Sequence, residues 1–276
     1  MALPPHASFE DRVWHYGARA LCYGVLLFLI LPILVIVPIS FSSGNMLAFP
    51  MPGFSLRWYE TIVHGAAWVD AAKNSLFIGG CSTALAMTLG TMAAIGLSRA
   101  RFRAKPYVVG LLVSPILIPI VITAVGMYFF FVSLGLVGTY LGLILAHTAL
   151  SVPFVVITVL ATLEGFDTNL TRAAASLGAP PLTAFRKVML PIIFPGVASG
   201  GLFAFATSFD EIVVTLFIAA PEQRTLPRQI FAGIRENISP TIAAAATVLI
   251  LVSIVMMGTM EYLRRRSERL RGVRPS

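Results

Sequence analysis

The stretch EGFDTNLTRAAASLGAPPLTAFRKVMLP, Glu164 to Pro191, is a polar island between two long apolar runs, and it decides how the rest of the chain is placed. Asn169 to Leu177 suits a short helix. Gly178, with Pro180 and Pro181 behind it, ends that helix: glycine accepts the left-handed backbone of a C-terminal cap and proline cannot continue the turn. A second short helix is expected from Leu182 towards Val188, with Phe185 and Val188 on one side and Arg186 and Lys187 on the other. Leu190-Pro191 then opens the next apolar run, where a first-turn proline does no harm because its missing N–H would be unpaired anyway. A helix, a stop and a second helix on the charged side of a membrane make a docking knob for a soluble partner. The spacing carries no more than that.

Hydrophobic residues make up 57% of the chain and charged residues 12%, where soluble domains hold roughly 45–50% and about 25%. With apolar runs of about twenty residues or more, the fold class is an all-α membrane protein with six transmembrane helices. A polar lead over residues 1–19 reads as an interfacial helix. The spans follow at about Ala20–Phe41, Asn74–Leu97, Tyr107–Val132 and Thr139–Leu163, then a long run Val188–Ala220, then about Thr241–Tyr262. These make a membrane domain over residues 20–262, and the basic tail 263–276 suits anionic headgroups. No domain boundary or internal repeat is evident.

The net charge of +8 does not point to nucleic acid, because the basic residues sit in short segments flanking apolar runs, as membrane topology requires. Fifteen of the twenty Lys and Arg fall on the side of the termini and the polar island, which places both termini and the island in the cytoplasm. The first run is long for a signal peptide and lacks a small-x-small cleavage site, so it is kept as a mature span.

Several local features set expectations. Pro115 and Pro119 predict a kink in the third span. Gly79, Gly80, Gly90 and Gly96, and the pair Gly138 and Gly142, predict close helix packing. Trp58, Tyr59 and Trp68 suit an interface belt. Cys22 and Cys81 read as small core residues. The thirty-three residues from Val188 to Ala220 would extend about 50 Å as one helix against a core of about 30 Å. That run must bend, re-enter or continue as a short helix, and Pro195 with Gly196, Gly200 and Gly201 is available for the bend.

Asp210 and Glu211 are the only acids in that run. A carboxylate in the bilayer costs about 2.5–3.5 kcal/mol on insertion scales, so such groups face a cavity or a partner. A translocation-pathway role and a solvated helix-end pair stand nearly even, with a lean to the pathway. Tyr128, beside Phe129 to Phe131, could line a route for an organic cation, although lipid-facing bulk weighs more. His147 and Ser151 share a helical face without a nucleophile elbow, so a buried inter-helix hydrogen bond is the better reading.

The polar island resembles the loop of ABC importer membrane subunits, written EAA, three residues, Gly, nine residues, Ile, one residue, Leu-Pro. Aligned on Gly178, Ala173, Ala174, Leu190 and Pro191 are in register, Val188 replaces isoleucine and Arg172 replaces the family glutamate, a charge reversal. SFDEIVVTLFI (Ser208–Ile218), RTLPRQI (Arg224–Ile230), ISPTIAAAATVLIL (Ile238–Leu251) and SLRWYETI (Ser55–Ile62) resemble the spermidine/putrescine permease branch of type I importers. The resemblance implies the type I permease fold, polyamine uptake, and a coupling role for Arg172, Ala173, Ala174, Gly178, Leu190 and Pro191. It also implies an ATP-binding cassette ATPase dimer, a second homologous permease and a periplasmic or lipid-anchored solute-binding protein. The chain has no phosphate-binding glycine loop, so ATP and Mg would be bound by the partner ATPase and this subunit would catalyse nothing. A neutral or other small-solute importer is the alternative cargo reading. An ion-coupled secondary transporter would leave the loop unexplained, and a purely structural subunit would leave the acids unexplained as well.

Overall fold

The computed structural model describes residues 8–100, 102–236 and 238–270, with side chains omitted at 236, 260 and 263–270. The helices in order are α1 (Phe9–Ile39), α2 (Arg57–His64), α3 (Ala66–Arg99), α4 (Lys105–Leu117), α5 (Ile120–Ser133), α6 (Tyr140–Glu164), α7 (Asn169–Ser176), α8 (Pro181–Ala184), α9 (Leu190–Phe209), α10 (Val213–Ile218), α11 (Leu226–Glu236) and α12 (Pro240–Leu270). Among the described residues there is no β-strand, only an isolated bridge between Ser42 and Phe54. Among the described residues five helices are long and apolar enough to cross a membrane, and the bent pair α4–α5 raises the number to six when taken as one span. The expected all-α, six-span class is what the chain forms.

Two compact units make up the chain, Met1–His64 with Gly233–Leu249, and Gly65–Ala232 with Ile250–Ser276. In the first, α1 begins at a capping box: the Ser8 hydroxyl accepts from Asp11 N–H, and the Asp11 carboxylate accepts from Ser8 N–H. That cap merges the expected separate lead helix with the first span, giving one 31-residue helix. Cys22 lies exposed on it, not in a core. The loop behind α1 is fastened by the expected interface aromatics. Trp58 Nε1–H donates to Ser42 O at 2.8 Å, the Tyr59 hydroxyl meets Ser40 Oγ at 2.6 Å, and Arg57 lies 4.3 Å over the Trp58 ring. Further on, Ile242 and Ala243 to Ala245 are buried.

In the second unit α3, α6 and α9 pack together. One apolar cluster joins Ile78, Ala124, Phe131, Leu143, Val214 and Ile218; the other joins Ala86, Val155, Val159, Met189, Ile193 and Val197. Glycines permit the close crossings. A Cβ on Gly90 would lie 2.8 Å from Val155 Cβ, on Gly79 3.1 Å from the Phe205 ring, and on Gly200 2.9 Å from Val155 Cα. Gly80 and Gly96 face open space and take no part. Gly196, Gly200 and Gly201 do not bend the long run, as expected of them, but seat α9 against Thr162, Thr158 and Met87. Nor do Gly138 and Gly142 form a packing face: Gly138 is a left-handed turn residue at φ +74° ahead of α6, and Gly142 lies against Leu136 O.

The kink expected in the third span is a full break of 106°. Ile118, placed before Pro119, is driven to extended backbone at ψ 134°, which no helix tolerates. The second short helix of the polar island does not stop at Val188 either. Pro181 to Phe209 runs continuously through a π-turn at Phe185–Met189, where Leu190 N–H reaches back five residues to Phe185 O. A proline at 191 removes one N–H and presses on the carbonyl four residues before it, and a wide turn just ahead absorbs both effects. The long run then breaks at Asp210 and continues as the short α10, one of the three outcomes its length allowed.

Candidate functional site

Two places hold the predicted site residues, and they are built differently. At the polar island, the Asp167 carboxylate accepts from Asn169 N–H at 2.9 Å and starts α7. The other end is a Schellman cap. Gly178 sits at φ +82°, its N–H donates to Ala175 O at 2.9 Å, and Ala179 N–H donates to Ala174 O at 3.0 Å. Arg172, Ala173, Ser176, Leu177 and Gly178 are all exposed, Leu177 at 89%. Ala174 is half-buried. The Arg172 guanidinium has no partner among the described residues, so none of them balances the charge reversal. Phe185 and Val188 are half-buried and Arg186 and Lys187 exposed, as their spacing predicts. Leu190 packs on the Val155–Ile193 cluster and Pro191 lies exposed beside it. The six coupling candidates thus divide into a solvent-facing tip and an anchored root.

The second place is the elbow between α9 and α10. Asp210 closes α9, with an exposed carboxylate that makes no hydrogen bond or ion pair among the described residues. Glu211 is employed differently: its Oε1 accepts from Val214 N–H at 2.8 Å and caps the first turn of α10. The two neighbours therefore separate into an exposed acid at the end of α9 and a helix cap. Tyr128 on α5 is half-buried and no hydrogen bond joins it to either acid; Phe129 and Phe130 are exposed, and Phe131 enters the core.

His147 makes the expected buried bond and one more. It is 1% exposed, with Nδ1 2.8 Å from Ser208 Oγ on α9 and Nε2 3.1 Å from Thr215 Oγ1 on α10. Its helical neighbour Ser151 donates to Ala204 O at 3.1 Å. Sequence reasoning missed Ser208 and Thr215, although both lie in SFDEIVVTLFI. Their separation from His147 along the chain, by 61 and 68 residues, is what hid them. A second polar cluster secures the segment after α10. Asn74 Nδ2–H donates to Glu222 O and Arg224 O, the Tyr140 hydroxyl donates to Asn74 Oδ1, Gln223 Nε2–H donates to Gly138 O, and Leu226 N–H donates to Ser75 Oγ. RTLPRQI is thus in part a structural clasp.

The chain is thus a multi-span helical membrane protein that carries an exposed knob and an acid-bearing elbow. Its fold matches the crystal structure of a bacterial ABC transporter involved in the import of the acidic polysaccharide alginate. The TM-score is 0.72 at 18% identity, over 94% of this chain and 99% of that one. The spermidine/putrescine transport system permease protein PotC of Escherichia coli (strain K12) is 33% identical over 238 residues, 86% of this chain and 90% of PotC. The putrescine transport system permease protein PotI of the same organism is 34% identical over 252 residues, 88% of this chain and 89% of PotI. The family of binding-protein-dependent transport system inner membrane components matches residues 86–269, and this chain belongs to it. It is a non-catalytic permease subunit of an ABC importer.

Proposed function

We propose that this permease carries polyamines of the spermidine/putrescine class, delivered by a binding protein and driven by a partner ATPase dimer that holds the ATP and Mg. The reading is carried by the identity to PotC and PotI over almost nine-tenths of the chain. Asp210 supplies its physical reason, a carboxylate left unpaired at the end of a span. At 4 Å and an effective dielectric near 20, one ion pair with a cationic amine is worth roughly 4 kcal/mol before desolvation is subtracted. Glu211 and Tyr128 stand beside this route, Glu211 chiefly through the helix it caps.

In this reading α7 is the ATPase dock. Arg172, Ala173, Ala174 and Gly178 form the contact, and Leu190 with Pro191 ties it to α9. A second homologous permease completes the pathway, and both termini lie in the cytoplasm of a bacterial inner membrane. ATPase closure pushes on α7 and rocks the spans between inward- and outward-open states. The test is uptake by proteoliposomes holding the full complex and its binding protein. Asp210→Asn is expected to lower di- and triamine uptake about tenfold, the equivalent of about 1.4 kcal/mol, while ATPase pull-down stays at the parental level. Parental polyamine uptake by Asp210→Asn removes the physical reason for a cationic cargo.

A further inference from the structure

The polar groups around the elbow are linked through one ring. The Thr215 hydroxyl donates to Glu211 O at 3.2 Å. His147 Nε2 lies 3.1 Å from that hydroxyl, and Nδ1 lies 2.8 Å from the Ser208 hydroxyl. The result is a chain of polar contacts that runs from Ser208 through the His147 ring and the Thr215 hydroxyl to the Glu211 carbonyl. It begins two residues before Asp210, passes through a third helix, and ends on the residue after Asp210. Both sides of the break are therefore tied to one ring on α6. All the bonded groups belong to one compact unit, and Ser208, Thr215 and His147 are each at most 4% exposed.

We infer that His147 is a positioning residue of the transport pathway, a strap from α6 that fixes the angle of the α9–α10 elbow and with it the placement of the Asp210 carboxylate. His147 itself touches no cargo. The strap stands on the hydrogen-bond geometry whatever the cargo is, and only its effect on uptake rests on the polyamine reading above. Gln at 147 keeps a polar group able to meet one of the two hydroxyls; Leu loses both contacts.

The experiment reads elbow geometry directly, so its outcome is separate from the cargo. The full chain is assembled with its co-subunits in membranes, with both cysteines replaced (Cys22→Ser, Cys81→Ser) and a single reporter introduced by Asp210→Cys. The rate of modification by a charged methanethiosulfonate reagent is the readout, and Leu177→Cys on the exposed tip of α7, read in membranes that lack the ATPase, is the control. His147→Leu is expected to change the modification rate at 210 by about tenfold and to leave the rate at 177 unchanged. His147→Gln should fall between Leu and the parent. Thr215→Val, which keeps the shape and removes the hydroxyl, should match His147→Leu, and the two together should add little because they cut one chain. Should His147→Leu prevent assembly, Thr215→Val and Ser208→Ala give the same reading. Unchanged modification at 210 in Thr215→Val and Ser208→Ala, or an equal change at 177, overturns the strap.

Discussion

The knob at α7 and the elbow at Asp210 are both interruptions in helical chain, yet they are held by opposite means. At the knob every fixing bond is local: Asp167 to Asn169, Gly178 to Ala175, Ala179 to Ala174. The surrounding side chains are free for a partner. At the elbow the Glu211 cap is local too, but both sides of the break are also bonded to His147 on α6, and among the described residues the Asp210 carboxylate has no hydrogen bond or ion pair. A surface built to be touched is shaped by its own backbone, whereas a joint inside a bundle is shaped by its neighbours. Substitutions should therefore divide by place: interior ones damage the fold, and knob ones damage coupling while the fold survives.

The largest effect is expected inside. Gly200→Leu puts a side chain where a Cβ already lies 2.9 Å from Val155 Cα, a backbone atom that cannot swing aside. Overpacking there should cost about 3 kcal/mol and abolish recovery of intact complex in mild detergent. Recovery at the parental level would mean that the α6–α9 crossing is looser than its glycines imply.

Gly178→Leu comes next and tests the opposite half. Nothing lies within 4 Å of a Cβ at this position, so the penalty is the left-handed backbone alone, about 1–2 kcal/mol. The complex should reach the membrane and hydrolyse ATP while uptake falls by roughly a factor of ten. Normal uptake in vesicles would separate the helix stop from the coupling step.

A smaller effect separates the two acids. Glu211→Ala removes the acceptor for Val214 N–H and should lower the melting temperature in line with a lost N-terminal cap, about 1 kcal/mol. Glu211→Gln keeps an acceptor oxygen and should stay near the parent. Equal loss from both variants would make the charge, not the cap, the function of Glu211. The smallest effect on the chain itself belongs to Arg172→Glu, within about 0.5 kcal/mol for an exposed and unpaired site. Its signature should be weaker ATPase pull-down, recovered by a reversed charge on the ATPase.

The contrast also explains what could be read from the residues. The α7 stop was legible because glycine followed by two prolines is a local instruction, and the burial of Phe185 and Val188 followed from helical spacing. The six-span class followed from apolar run length. Prolines at 115 and 119 suggest a kink, whereas the extended backbone of Ile118, set by the proline one residue later, makes a full break. Polar residues ahead of Ala20 suggest a separate lead helix, whereas the Ser8 capping box starts one continuous helix through them. The glycines of α9 suggest a bend because nothing nearby in sequence names Thr158, Thr162 or Met87 as their neighbours. A buried inter-helix bond for His147 is legible, but its two partners lie beyond any local pattern.

The unbroken helix from Pro181 to Phe209 has a mechanical meaning. Its twenty-nine residues make a rod of about 43 Å, with the α7 knob ahead of one end and the Asp210 joint at the other. A rod transmits thrust without needing a relay of side-chain contacts between its ends. Its wide turn at Phe185–Met189 is a place where hydrogen-bond register is already relaxed and a twist is absorbed cheaply. If α7 is the ATPase dock proposed above, a stroke delivered there reaches the far joint as displacement of a single member, and the His147 strap is the stop it works against.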